Sequence, residues 1–505
     1  MGEGGRYEVE NEDCISLASI WLFFYGMLSG DIGMKTKFSV GLSGLAFFLL
    51  SQAAFAADGP PPIDSGSVAW ILASSAFVLL MTVPGLALFY AGMGQQKNVL
   101  GTIMQTLVSL GIVTVVWVLW GYSLAFGNDI GHLIGGLDYI GLGGLALPGS
   151  AEAANAVMGL GIPDLLYMVF QLMFAAITVA IISGSITERV KFTGWVAFLV
   201  LWITIVYAPV AHWVWGAEGW LFKMGALDFA GGTVVHIASG VSGLAAALFL
   251  GKRMNYGKTI QPPHNLTLTL LGGGMLWFGW MGFNGGSALA ANASAALAFV
   301  NTQIAAAAGL MGWMMMEWKS SGKPTMLGAI SGAVAGLVVI TPAAGLVSPM
   351  GALAMGLIGG VLLYGAVLLK RKLNYDDSLD AFGIHGIGGT IGAILTGVFV
   401  TKAVTGATGA SGLLEGNAAQ VLTQLTAVGA VIIYSFAATL LICYLAEKTF
   451  GFRLGEEGQM EGLDLSQHGE TAYNLSAVAG YSQAEGEGGQ AKVTAPLPKV
   501  KYSTQ

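Results

Sequence analysis

The sequence predicts an all-α polytopic membrane protein of eleven transmembrane helices, arranged as inverted five-helix repeats plus one extra helix. Three observations predict it: an apolar composition poor in charge, eleven long apolar runs, and a repeated Asp–His–Gly–Gly pattern. Of 505 residues, 55% are hydrophobic and 10% charged, and the mean hydropathy is +0.71. A soluble domain carries about 25% charged residues. The 76 glycines suit helices that pack closely in lipid, where small residues let backbones approach. A formal net charge of −7, with no basic cluster, gives no reason to expect nucleic-acid binding. Cys14 and Cys443 sit in unrelated settings and predict no disulfide framework.

The N-terminal region reads as an export signal. Met34–Lys37 is short and basic, Phe38–Leu50 is apolar, and Ala54-Phe55-Ala56 has the A-x-A form of a cleavage site. Residues 34–56 are therefore expected to be a signal peptide, with the mature chain starting near Ala57. Residues 1–33 are expected not to belong to the natural protein, Met34 being the true start. The alternative makes Ile15–Leu28 an extra segment, but its 14 residues are short for a span, which needs about 20.

Residues 57–446 are expected to form the membrane domain and 447–505 a cytoplasmic tail. The eleven runs are Val68–Gly92, Val99–Phe126, Leu165–Ile186, Trp195–Ala211, Phe229–Leu250, Leu266–Asn284, Ala295–Met316, Pro324–Ile340, Met350–Leu369, Ala381–Val400 and Val421–Ala446. A helix satisfies its own backbone groups, so each run is expected to cross the membrane as one. Loops after the odd runs carry Lys97, Arg189, Lys191, Lys252, Arg253, Lys258, Lys319, Lys323, Lys370, Arg371 and Lys372. Loops after the even runs carry only Lys223 and Lys402. Lys and Arg stay in the cytoplasm, so the mature N-terminus is expected outside and the C-terminus inside an inner membrane.

The repeat lies in register. Asp228 precedes His236 by eight residues, and Gly240 and Gly243 follow it at +4 and +7. Asp377 precedes His385 by eight, and Gly389 and Gly392 follow at +4 and +7. The unit is five helices, an odd number, so the second copy is inverted, and the transport path is expected near the midplane between the halves.

His236 and His385 are the histidines that fall well inside runs, where an ionisable side chain faces the protein interior or a polar path. A lone one reads as a packed core histidine. Two at matching repeat positions are brought together by the pseudo-two-fold axis and are expected to share a proton. Asp228, before Gly231-Gly232-Thr233, is placed to cap a helix start and to add negative potential at an entrance. Phe170, Phe174, Trp213, Trp215, Trp277, Trp280 and Phe283 cluster near run ends. They fit either an interfacial belt, the reading kept for Trp213, Trp220 and Trp277, or a cage that attracts a cation by its ring faces. Two histidines without a carboxylate or Cys set make an incomplete zinc shell, and no catalytic motif is present. Neither an enzyme nor a bound cofactor is expected.

The segments Ala226–His236, Gly279–Ser287 and Phe382–Gly386, with Pro84–Tyr90 and Ala298–Thr302, resemble signatures of the ammonium transporter/methylammonium permease/Rhesus family. The likeness covers about Val68 to Tyr473 in order. It implies a homotrimer with one pore per subunit. By position, Phe174, Trp215 and Ser287 match the family's outer ammonium-recruitment site, and Asp228 its outer-mouth aspartate. Phe170 resembles a pore-wall aromatic; Phe174 and Phe283 match a stacked gate; His236 and His385 match twin histidines with Trp280 beside them. Having both Trp215 and Ser287 resembles the bacterial ammonium transporter branch. Ser378 departs from the Pro frequent in bacterial relatives. Gly451–Leu454 and Glu461–Glu470 resemble a cytoplasmic tail motif that couples the pores to regulation, often by a PII-type protein. The resemblance implies transport of ammonium or ammonia, with methylammonium as an analogue. A sodium-coupled symporter and an ammonium sensor are the rival classes.

Overall fold

The computed structural model describes residues 63–148, 161–259 and 261–473. The expected signal peptide, the stretch 1–33 and the far tail from Ala477 lie outside the described residues. Among the described residues eleven helical spans are long and apolar enough to cross a membrane: α1 (Ser65–Met93), α2 (Gln96–Phe126), α3 (Asp164–Ile186), α4 (Phe192–Lys223), α5 (Gly232–Leu250), α6 (Leu266–Gly286), α7 (Ala293–Ser321), α8 (Met326–Ala343), α9 (Pro349–Leu373), α10 (Phe382–Phe399) and α11 (Ala418–Phe450). Each matches one apolar run.

The ends differ from the runs for local reasons. The Asp64 carboxylate accepts from Ser67 N at 2.6 Å and starts α1 three residues before the run. Asn292 and Ser348 cap α7 and α9 in the same way. Within α4 the helix continues past Ala211 to Trp215, breaks at Gly216 and resumes over Trp220–Lys223. His212 thus lies within a span helix, a third histidine there that the hydropathy boundary hid.

Helices α3 and α5 are the most enclosed, 89% and 83% buried, whereas α11 is 33% buried and lies at the periphery. Helix α5 opens with a π-helical turn at Gly232–Ile237, and α10 with one at Phe382–Gly386. Such turns widen a helix and re-aim a side chain, and each carries one repeat histidine. The repeat glycines explain how these turns meet. A Cβ on Gly240 would collide with the Gly386 backbone, and one on Gly389 would lie 2.6 Å from Gly232 O and 2.9 Å from His236 Cβ. The two copies touch reciprocally at positions where only glycine fits.

A short antiparallel hairpin, β1 (Asp129–Ile130) with β2 (Ile134–Gly135), folds onto the Lys/Arg-poor end of α4. Trp213 Nε1 donates to Leu133 O at 2.7 Å and the ring packs on Tyr434. Trp213 is thus a buried clasp on the hairpin rather than a lipid-facing belt residue. His212 sits between Ala125 O and Asp129 Oδ1, 2.9 Å from each. That contact holds the Asp129 carboxyl below its usual range.

At the Lys/Arg-rich end the tail docks on its own chain. Lys191 N donates to Phe452 O and Leu454 N to Arg189 O, both at 2.9 Å, and Phe452 stacks on Phe198. The Arg453 guanidinium donates to the carbonyls of Leu250 and Lys252. A short helix, α12 (Glu456–Glu461), ends on Lys97, whose Nζ donates to Gln459 O and Met460 O at 2.7 Å. Asp464 then accepts from Gly101 N at 2.8 Å. Truncation after Glu447 removes all these partners from α2, from the loop between α3 and α4, and from the end of α5. It is expected to lower transport while the membrane domain stays assembled; full transport by the truncated chain in vesicles would show that docking is not coupled to the pore.

Candidate functional site

Asp228 organises the Lys/Arg-poor mouth. Its carboxylate accepts from the backbone N–H groups of Gly231 (2.7 Å), Gly232 (2.5 Å), Thr233 (2.8 Å) and Val234 (3.1 Å), and from the Thr233 hydroxyl. One side chain thus takes the orphan donors that every helix start presents. Gly231 makes the tight approach possible at φ 116°, a conformation open to glycine. The carbonyl of Asp228 accepts from Trp215 Nε1 at 2.9 Å, so the same residue that caps α5 also fixes the indole.

Trp215 faces Phe174 edge-on, with centroids 5.8 Å apart, and Phe170 lies 4.9 Å from Phe174. Ser287, at the C-terminal end of α6, donates its hydroxyl hydrogen to Phe283 O at 2.8 Å, which leaves the oxygen lone pairs open to a donor. Trp215, Phe170, Phe174 and Ser287 line one cavity of about 420 Å³. A water-sized molecule fills about 30 Å³, so selection here does not come from a tight fit. Tyr167, Gln171, Ala217, Phe222, Phe229 and Leu289 complete the lining.

Below the cavity the rings form a file. Phe174 stacks on Phe283 at 4.2 Å, Phe283 lies 6.1 Å from His236, and His236 lies 5.2 Å from His385. His236 Nδ1 and His385 Nδ1 are 3.2 Å apart. One nitrogen must carry the hydrogen and the other accept it, so the pair holds one proton between the rings in either of two arrangements. His236 Nε2 is buried without a hydrogen-bond partner among the described residues. Trp280 lies 5.4 Å from His236 and its indole N–H is tied to Thr341 Oγ1 at 2.9 Å, so it presents a ring face to His236 rather than a donor.

Asp377 repeats the Asp228 arrangement at the opposite end. It accepts from Phe382 N at 2.9 Å and Gly383 N at 3.4 Å, at the start of α10, and burial pushes its carboxyl up. Ser378 follows it. Its N–H donates to Ser185 O at 3.2 Å and its hydroxyl accepts from Arg189 at 2.6 Å, and proline in that place could make neither bond. Burial pushes Arg189 down to about 10.

The family model described as Ammonium Transporter Family matches residues 69–473, which takes in the mouth, the ring file and the docked tail. The chain belongs to the ammonium transporter family. Among its relatives, the ammonium transporter of Bacillus subtilis is 51% identical over 418 residues, 82% of this chain and 100% of that one. The ammonium transporter of Aquifex aeolicus is 48% identical over 442 residues, 86% and 100%. The crystal structure of Saccharomyces cerevisiae Mep2 is similar with a TM-score of 0.71 and 38% identity, covering 79% of this chain and 92% of that one.

Of the residues singled out from the sequence for binding and pore roles, Phe170, Phe174, Trp215 and Ser287 line the cavity, Phe283, His236 and His385 continue the ring file, Trp280 packs beside His236, and Asp228 caps α5 behind Trp215 without lining the cavity. Sequence reasoning missed Tyr167 and Gln171, which share a face of α3 with Phe174. The signal was present: Gln171 is the one amide in the apolar run Leu165–Ile186.

Proposed function

We propose that this ammonium transporter recruits the cation at Trp215, Phe174 and Ser287, in the electrostatic reach of Asp228. The cation gives up its proton on the way in, neutral ammonia passes through the apolar pore beyond Phe174 and Phe283, and the proton is taken up by His236 and His385 and moves along them. The loop charges favour the inner membrane, with the Trp215 mouth outside and the tail in the cytoplasm. A homotrimer, a leader removed near Ala57, and a PII-type partner at the docked tail belong to the same reading.

The observation that carries it is the 3.2 Å Nδ1 to Nδ1 contact in line with the ring file. Potassium, close to ammonium in size, neither donates hydrogen bonds nor releases a proton. A bare ion in an apolar pore is costly, so a pathway of ring faces ending in a proton-sharing pair admits what ammonium can become and refuses what potassium must remain. Ring faces attract the cation before it divides, and Ser287 Oγ accepts one of its N–H bonds.

The test is ammonium-driven current in liposomes carrying the purified protein, with potassium as control. Ammonium current without potassium current is expected, and equal currents would overturn the reading. In the same assay the Trp215→Leu, Ser287→Ala double variant loses a cation–π contact and a hydroxyl acceptor, each about 1–2 kcal/mol. Its apparent affinity for ammonium and methylammonium is expected to fall tenfold or more (about 1.4 kcal/mol per factor of ten). Unchanged methylammonium affinity would remove the outer site from the mechanism.

A further inference from the structure

We infer that His212 is a positioning residue: held as an imidazolium between Ala125 and Asp129, it fixes the end of α4 that carries Trp215, and so makes capture of ammonium depend on the pH outside. The inference rests on the transport reading above and extends it to a group that touches no cargo.

Both ring nitrogens of His212 face acceptors. Nδ1 lies 2.9 Å from Ala125 O, and Nε2 lies 2.9 Å from Asp129 Oδ1. A neutral imidazole has one N–H and one lone pair, so either tautomer would turn a lone pair on an oxygen; only the imidazolium donates to both. The residue is 2% exposed, which leaves these two oxygens as its partners. The contact holds the Asp129 carboxyl below its usual range, so the carboxylate stays charged and the hydrogen between them sits on the ring. The other charges nearby are committed elsewhere. His132 N donates to Asp129 Oδ2 at 3.1 Å, and its ring Nδ1 lies 2.6 Å from Glu218 O and 3.4 Å from that same Oδ2. Glu218 pairs with Lys223 at 2.6 Å. On the remaining elements packed against this end of α4, Tyr122 of α2 and Tyr434 of α11 bring hydroxyls and no charge. Asp228 and His236, at the start of α5, are engaged with its backbone and with His385.

The helix joins this clasp to Trp215. His212 and Trp215 stand three residues apart in the stretch that ends at Gly216, so they share its last turn. Trp213 Nε1 and Trp220 N donate to the Leu133 and His132 carbonyls of the same hairpin. Those two bonds are neutral and hold at any pH. The His212–Asp129 bond fails when the ring loses its second hydrogen: a lone pair then faces a carboxylate, and the end of α4 is released on that side. The clasp is therefore complete while the ring is protonated and is lost as the external pH rises, so ammonium is held more weakly in alkaline medium. By linkage, bound ammonium makes the ring hold its hydrogen more tightly.

The test makes two measurements on the full-length protein in liposomes. Ring ¹⁵N spectra of histidine-labelled protein, with the His212 signals identified by their loss in His212→Phe or His212→Gln, are expected to show two protonated nitrogens at about pH 7, where an exposed histidine is mostly neutral. A single protonated nitrogen there would overturn the inference. Half-saturating ammonium concentrations, counted as the ion, are then compared at external pH of about 6 and about 8.5 between the wild type and Asp129→Asn, whose amide accepts from a charged ring and donates to a neutral one. Taking the ratio of the two proteins cancels the titrations they have in common, that of ammonium included. Between the two pH values the wild type is expected to weaken about fivefold relative to Asp129→Asn, the lower end of coupling between two sites, with maximal current unchanged. Asp129→Ala and His212→Phe, which cannot form the bond in either state, are expected to bind weakly at both. A residue that only packs predicts parallel pH profiles for wild type and Asp129→Asn, and that result would overturn the inference. Absence of ammonium current in the wild type would instead overturn the transport reading, while the spectra still decide the state of His212.

Discussion

The His236→Ala, His385→Ala double variant is expected to lose ammonium-driven current while remaining folded and inserted. The Nδ1 atoms of the two rings lie 3.2 Å apart, and the proposed relay passes its proton across that gap. With them removed, a proton crossing this stretch must do so as an unshared charge, at a cost of about 3 kcal/mol on insertion scales. That cost corresponds to about a hundredfold in rate. The space left by two imidazoles admits small neutral solutes, so the loss is of charge transfer and not of room. A single acidic replacement, such as His236→Glu, restores an ionisable group but places a carboxylate beside an apolar wall. It is expected to recover current and to relax discrimination against potassium. Current per reconstituted protein, measured beside the melting temperature of the same preparation, separates relay from packing. A well-folded double variant with wild-type current and selectivity would end the relay proposal.

Asp228→Ala is expected to have the second largest effect. Four backbone N–H groups and one hydroxyl converge on that carboxylate. A lost cap typically costs about 1–2 kcal/mol, and buried donors left unpaired add about 1–3 kcal/mol more. The damage is not confined to the start of α5, because the Asp228 carbonyl also orients Trp215. Transport should fall sharply through both the mouth and the π-helical turn that carries His236. Asp228→Asn keeps one acceptor oxygen and is expected to retain part of the activity. Wild-type methylammonium uptake in both variants would show that neither the cap nor the indole anchor matters.

The spans were legible because lipid leaves the backbone no alternative to a helix, so hydropathy alone marks each crossing. The Asp–His register also reported three-dimensional contact, since the +4 glycine of each copy meets the histidine-bearing turn of the other where a Cβ would not fit. The cage was not legible in that way. Phe174, Trp215 and Ser287 lie on three different helices, and no spacing rule joins them; only the family resemblance did. His212 escaped because a polar ring ends a hydropathy run even where the helix continues. Trp213 escaped because belt and clasp look alike in sequence, and the short hairpin Asp129–Gly135 decides between them. Gln171 was hidden by its neighbours, being one amide among rings.

The stack of Phe174 on Phe283 carries a consequence for the cell. At 4.2 Å the rings are in van der Waals contact, with no room for a molecule between them. On the proposed reading, in which this pair is the gate, flux is counted in openings, one small cargo at each parting of the rings, and saturates at the frequency with which they part. A standing hole would conduct whatever gradient the membrane held. A gate of that kind that rests shut has almost no idle leak, so on the same reading a membrane can hold many copies without losing its voltage through them.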